Sequence, residues 1–238
     1  MNNDSIYIEI REQYEQLLDI YNQELNNLKT DEAKYLLENS ILLSIFTKFE
    51  EFLKVMISNY IEQQDGLIMF EHLDESITKK LIYRDGSLLV KNKKDFDYVY
   101  KLHNSPLQEK KLKEFFKFKF IHKGVLKSHY GIMFKQIFND QYILDKMKIT
   151  VTSESTGIMQ VDTRRATEYI EEYVDKVRNE IAHDCINYVY ETATNKPIED
   201  EIKMFLQIIE NLCIEYKKIY GVEIKKVTKV ENVLNLNS

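Results

Sequence analysis

The chain has 238 residues, 44% of them apolar, and a formal net charge of −6. That is enough apolar material for one large domain with a sizeable core, and it excludes a disordered polyelectrolyte. No run approaches the roughly 20 apolar residues that cross a bilayer, so no membrane association is expected. The start, Met1-Asn2-Asn3-Asp4, lacks the charged and apolar regions of a secretory leader.

The first helix is predicted over residues 6–28, where Tyr7, Ile10, Tyr14, Leu17, Leu18, Tyr21, Leu25 and Leu28 recur at three- and four-residue steps. Asp4 and Ser5 are its caps. A second helix is predicted over 31–61, about 45 Å long at 1.5 Å per residue, with Gly66 as its stop. Residues 67–104 read two ways. Asp85-Gly86, between Leu81-Ile82-Tyr83 and Leu88-Leu89-Val90, fits a hairpin turn. Two short helices joined by a loop fit the same window. Ser105-Pro106 opens a helix that continues to about His122 and stops near Gly124. Another helix covers 127–138. The Thr- and Ser-rich window 149–162 reads as a loop or a poor hairpin. A further helix starts near Asp162 or Thr163 and carries Ala166, Ile170, Tyr173, Val174 and Val177. Residues 191–197 form a loop, and the last long helix covers 198–220 with Gly221 at its end and a tail from Val222. Only six Gly and two Pro interrupt the chain, which suits long helices.

Charge is distributed unevenly. Between Lys79 and Lys127 there are 14 Lys or Arg against five Asp or Glu, a net of +9, which leaves −15 for the remainder. In the helix predicted there, Lys110, Lys111, Lys113, Lys117 and Lys119 interleave with Phe115, Phe116, Phe118 and Phe120. Such a segment can stack bases and hold phosphates. It can equally bury an aromatic stripe and solvate its lysines. His103, His122 and His129 have no metal-ligand or triad-like neighbours. Cys185 and Cys213 have no metal-ligand spacing either, and Ile186, Tyr188 and Val189 beside Cys185 suggest ordinary packing. A reduced, cytoplasmic protein that needs no metal or other cofactor is expected.

The most informative stretch is Arg178-Asn179-Glu180-Ile181-Ala182-His183, at the end of an amphipathic helix. It sets a permanent cation, an amide and a side chain that titrates near neutrality within six residues. In metal-independent phosphodiester cleavage the imidazole moves a proton and the guanidinium holds phosphate charge. A purely structural reading is also open, with both cations answering the helix macrodipole. On an ideal helix Arg178 and His183 lie about 140° apart. Either the helix loosens between them or a second subunit completes the site.

This stretch resembles the Arg-x4-6-His signature of the HEPN superfamily, in the form Arg-Asn-x-x-Ala-His. The early helix, Phe46-Thr47-Lys48-Phe49-Glu50-Glu51-Phe52-Leu53-Lys54, is similar to the long helix of MAE-type HEPN-like proteins. Glu50 and Lys54 match a Glu-x3-Lys pattern found in some members, although that spacing is also a common helix pair. The resemblance implies an all-α antiparallel helical bundle, with core helices about 5–63 and 162–221 in a single domain and a helical or loop insertion about 65–160. It further implies a homodimer whose two motifs form one RNA-cleaving cleft, with Arg178, Asn179 and His183 catalytic and Glu50 and Lys54 supporting. Many such proteins belong to toxin–antitoxin or phage-defence systems, so an antitoxin or other regulatory partner is implied as well. Other members have lost catalysis and serve as binding modules.

Overall fold

The computed structural model describes residues 5–64, 83–84, 87–88, 131–155, 158–183, 189 and 197–225. The described residues are mostly helical. Helix α1 (Ile6–Leu25) stops one turn earlier than its apolar stripe allows. The Asn26 and Asn27 amides donate to the carbonyls of Asn22 and Gln23, at 3.2 and 3.1 Å, and so close the last turn. Helix α2 (Asp31–Gln63) starts where Thr30 Oγ1 accepts the Ala33 N–H at 3.3 Å, with Asp31 and Glu32 at its positive end. It buries Leu42, Ile45, Phe49, Phe52, Leu53 and Met56 completely. Each such burial contributes roughly 2–3 kcal/mol of transfer free energy. Tyr14 Oη donates to the Ile45 carbonyl and Tyr21 Oη to Glu38, both at 2.9 Å, which sets α1 antiparallel to α2.

Strands β1 (Tyr83–Arg84) and β2 (Ser87–Leu88) pair antiparallel, Tyr83 with Leu88 and Arg84 with Ser87. That pairing agrees with the hairpin reading at this point, and the rest of the window 67–104 lies outside the described residues. Helix α3 (Gly131–Phe138) falls within the helix predicted over 127–138, and Asn139, at φ 54°, ends it in the left-handed region. Short helix α4 (Ile143–Lys146) leads into β3 (Lys148–Ser155) and β4 (Ile158–Arg165).

These two strands add one small hairpin to a fold that is otherwise helical, as expected. They form a regular antiparallel hairpin from Lys148↔Arg165 to Ser155↔Ile158. Its β-branched Ile, Val and Thr favour the extended state over the loop. The Ala166 N–H extends the pairing to the Met147 carbonyl at 2.9 Å, so the helix predicted from Asp162 or Thr163 begins only at Ala166. The hairpin is tied to the last helix by Gln207, whose Oε1 accepts the Thr150 N–H at 2.9 Å and whose Nε2 donates to the Thr150 carbonyl.

The motif helix runs from α5 (Ala166–Tyr173) through a wide π turn (Val174–Arg178) into α6 (Asn179–His183). Helix α7 (Ile198–Tyr220) carries acids in its first turn and lysines in its last, and ends at Gly221 with φ 71°. Beyond it the chain is pinned as far as Lys225. The Ile6 N–H reaches the Ile224 carbonyl at 3.1 Å. Asn59 satisfies both backbone groups of Lys225 at 2.8 Å each.

The centre of the core is aromatic. Phe205 of α7 meets Tyr173 edge-on at 4.9 Å and Phe49 at 5.3 Å, and Phe46 stacks on Tyr173 at 6.0 Å. These pairs also fix directions. Phe49 meets Phe205 and Tyr60 meets Tyr220, so α7 runs in the same sense as α2. The motif helix does so too, because Tyr169 bonds Glu201 while Tyr173, one turn on, meets Phe205, one turn on in α7. The expected antiparallel bundle is met in part among the described residues: α1 opposes α2, whereas α2, the motif helix and α7 run in one sense. Gly66, the helix predicted over 105–122 with its lysines and phenylalanines, His103, His122, His129 and Cys185 lie outside the described residues.

Candidate functional site

Side chains of the motif helix at Ile170, Tyr173, Val174, Val177 and Ile181 are buried and fix its rotation. Tyr173 Oη donates to the Leu42 carbonyl at 2.8 Å and locks the helix against α2. The next turns of both helices then bring Arg178 towards Glu50. The Glu50 carboxyl is raised above its ordinary 4.5 by burial, while Lys54 on its own helix and Arg178 across the groove pull it back without cancelling the rise. Two patterns far apart in sequence thus share one electrostatic environment.

Arg178 is half-buried, and its Nη1 donates to Asn179 Oδ1 at 3.2 Å. Asn179 and His183 are four residues apart on α6, so they occupy one face, about 40° apart. Ile181 faces away from them into the core, while Ala182 and His183 are exposed. Asn179 therefore links the guanidinium, through a hydrogen bond, to the face that presents the imidazole. The helix does loosen, but not between Arg178 and His183. The wide turn ends at Arg178, where the Asn179 N–H bonds the Val174 carbonyl five residues back. Helical geometry from Arg178 to His183 keeps the two groups about 140° apart within one chain. Of the two supporting residues, Glu50 faces the motif. Lys54 is exposed, and it also rims a cleft of about 300 Å³ between α1 and α2 whose floor is Ile6, Ile10, Phe52 and Val55.

Sequence reasoning missed two features. One is an ion chain along the outer edge of the motif helix. Arg164 Nε holds both oxygens of Asp162 at 2.7 and 2.8 Å, its Nη1 bonds Glu172, and Lys176 reaches Glu172 at 2.9 Å. Glu172 and Lys176 were legible as a four-residue helix pair, but their link to the hairpin was not. The other is the wide turn, which no side-chain pattern announces. The motif helix is acidic, with Glu168, Glu171, Glu172, Asp175 and Glu180 against Lys176 and Arg178. Among the described residues no group of three His, Cys, Asp or Glu is placed to hold a metal ion. No described helix is long and apolar enough to cross a membrane. In comparisons with protein-family models, with curated proteins and with solved structures, nothing matches this chain.

Proposed function

We propose that the protein is a metal-independent endoribonuclease of the HEPN type, working as a homodimer in a toxin or phage-defence setting. The observation that carries this reading is the Arg178–Asn179 bond on the face shared with His183, with Arg178 within electrostatic reach of Glu50. A chance helix-end cation has no reason to lie within electrostatic reach of the one acid that the early helix offers at the matching spacing.

In the proposed reaction the ribose 2′-oxygen attacks phosphorus and the bond to the 5′-oxygen breaks. One His183 takes the 2′ proton and the partner's His183 gives a proton to the departing 5′-oxygen. Arg178 holds the doubly charged phosphorane through its fork of N–H donors, and Asn179 orients the imidazole or the phosphate. Products carry 2′,3′-cyclic phosphate and 5′-hydroxyl ends. The splay of about 140° in one chain makes the second subunit a requirement of this mechanism. Such an activity inside a cell calls for restraint by an antitoxin or other regulatory protein.

The test is cleavage of total RNA by the pure protein in excess EDTA. Cleavage is expected to survive the chelator and to fall about 10²–10⁴-fold in His183→Ala and Arg178→Ala. Cleavage that persists in both variants, or a protein that light scattering finds monomeric at micromolar concentration, sinks the reading. The acidity of the motif helix favours one alternative, a catalytically silent module that binds a protein or RNA. Wild type and His183→Ala would then be equally inactive, folded and able to bind.

A further inference from the structure

The cleft between α1 and α2 holds about 300 Å³, at the lower end of the range for ligand pockets. Its floor is nearly dry, with Ile6, Ile10 and Phe52 at 5%, 3% and 0% exposure beside Val55. Its polar lining is two carboxylates, Glu9 and Glu51, one amide, Gln13, and one ammonium, Lys54. Gln13 Nε2 donates to Glu9 Oε1 at 3.1 Å, and Lys48 meets Glu51 at 2.9 Å.

The chain returns to this cleft after α7. The Ile6 N–H bonds the Ile224 carbonyl, and Ser5 and Lys225 form an antiparallel bridge. Asn59, one turn beyond Val55 on α2, binds both backbone groups of Lys225. Lys225 thus stands at one end of the cleft, tied to both of its walls. Residues 226–236 lie outside the described residues, and their sequence suits the lining. Val227, Val230, Val233, Leu234 and Leu236 are apolar, while Lys226, Lys229 and Glu231 carry two positive charges and one negative. The cleft offers the reverse, two negative and one positive. Eleven residues reach at most about 36–40 Å when extended, whereas Ile6 to Gln13 spans about 10 Å of helix. The antiparallel bridge points the chain back past the start of α1, so one reversal is needed, and the spare length allows it.

We infer that residues 226–236 are the cleft's own ligand: their valine and leucine side chains cover Ile10, Phe52 and Val55, Lys229 pairs with Glu9, and Glu231 pairs with Lys54. Tethering at Lys225 gives the segment an effective concentration in the millimolar range, so weak contacts suffice. Any other ligand for the cleft has to displace it. The inference is independent of the ribonuclease reading.

A chain stopped after Lys226 keeps the bonds of Lys225 and loses the segment. The methyl NMR signals of Ile6, Ile10 and Val55 are expected to differ between this chain and the full one, with the Ile6 amide protected from hydrogen exchange in both. A synthetic peptide of residues 227–236, added to the shortened chain, should restore the full-chain shifts saturably. Glu9→Lys should weaken that binding roughly threefold or more, and a peptide with Lys229→Glu should recover it on the Glu9→Lys protein. Unchanged methyl shifts on shortening, a scrambled peptide that binds equally well, or an exchange of charges without recovery overturns the inference. Full-chain shifts that vary with protein concentration place the segment in a second copy and overturn it too. If shortening exposes the Ile6 amide, the same exchange of charges within the full chain decides: Glu9→Lys must shift the Val55 methyl and added Lys229→Glu must return it.

Discussion

Glu50 is the residue at which the folding problem and the proposed chemistry meet. Its carboxyl is raised above 4.5 by burial first, with Lys54 and Arg178 opposing. A folded-state value above the unfolded one means that its stabilising contribution is complete below about pH 4.5 and is lost as pH rises through the raised value. Glu50→Gln imitates the protonated acid, so its thermal stability should stay flat across that window and exceed wild type above it. Calorimetric scans from pH 4 to 8 check this, and a Gln variant that tracks wild type at every pH refutes it. Arg178→Ala should move the Glu50 titration further up, because a charge that favours the carboxylate is removed. An unchanged titration would mean that the two groups do not share a groove. In the core the arithmetic is simpler. Phe49 is fully buried and packs against Phe46 and Phe205. Phe49→Ala should cost about 3–5 kcal/mol in urea unfolding, enough to endanger a domain of ordinary stability.

At the scale of elements, side chains from distant parts of the chain complete the backbone pairing. Gln207 caps a strand edge at Thr150, and Asn59 binds the N–H and carbonyl of Lys225. Asn59 is 4% exposed, so Asn59→Ala removes both bonds from a nearly dry site. A loss of about 1–3 kcal/mol is expected, with faster hydrogen exchange at the Ile6 amide, which depends on the Ile224 carbonyl. Unchanged exchange there would show that the strap is held by apolar contact alone. Bonds of this kind explain what could be read from the sequence. Helices α1, α2 and α7 were legible because an apolar stripe specifies each of them locally, with Gly221 ending α7; the expected cap Ser5 makes no side-chain bond at the start of α1. The hairpin of β3 and β4 was legible only as one of two readings, since Thr and Ser suit loop and strand alike and its tie to Gln207 is remote in sequence. The motif was legible residue by residue at Arg178, Asn179 and His183, and Glu50 by its spacing. Their approach depends on Tyr173 reaching Leu42 and on a backbone turn that leaves the apolar pattern untouched.

At the scale of the whole molecule, the ribonuclease reading must explain how an acidic protein captures a polyanion. The motif helix carries more acids than bases, and Glu50 adds to that charge, so Arg178 cannot gather RNA by itself. The only large excess of positive charge lies between Lys79 and Lys127, with a net of +9 by sequence. Capture and cleavage should therefore separate. Replacing Lys110, Lys111, Lys113, Lys117 and Lys119 together by alanine should lower kcat/KM strongly and leave kcat nearly unchanged, whereas Arg178→Ala should lower kcat itself. Salt gives an independent measure. Each phosphate neutralised on a single strand contributes a slope of about −0.7 in log affinity against log salt, so five lysines correspond to about −3 to −4. The five-lysine variant should lose most of that slope, and Arg178→Ala should lose about one contact's share. If the two variants alter kcat and the salt slope alike, the basic segment is no capture device, and the positive charge must serve the solubility of its own face or a protein partner.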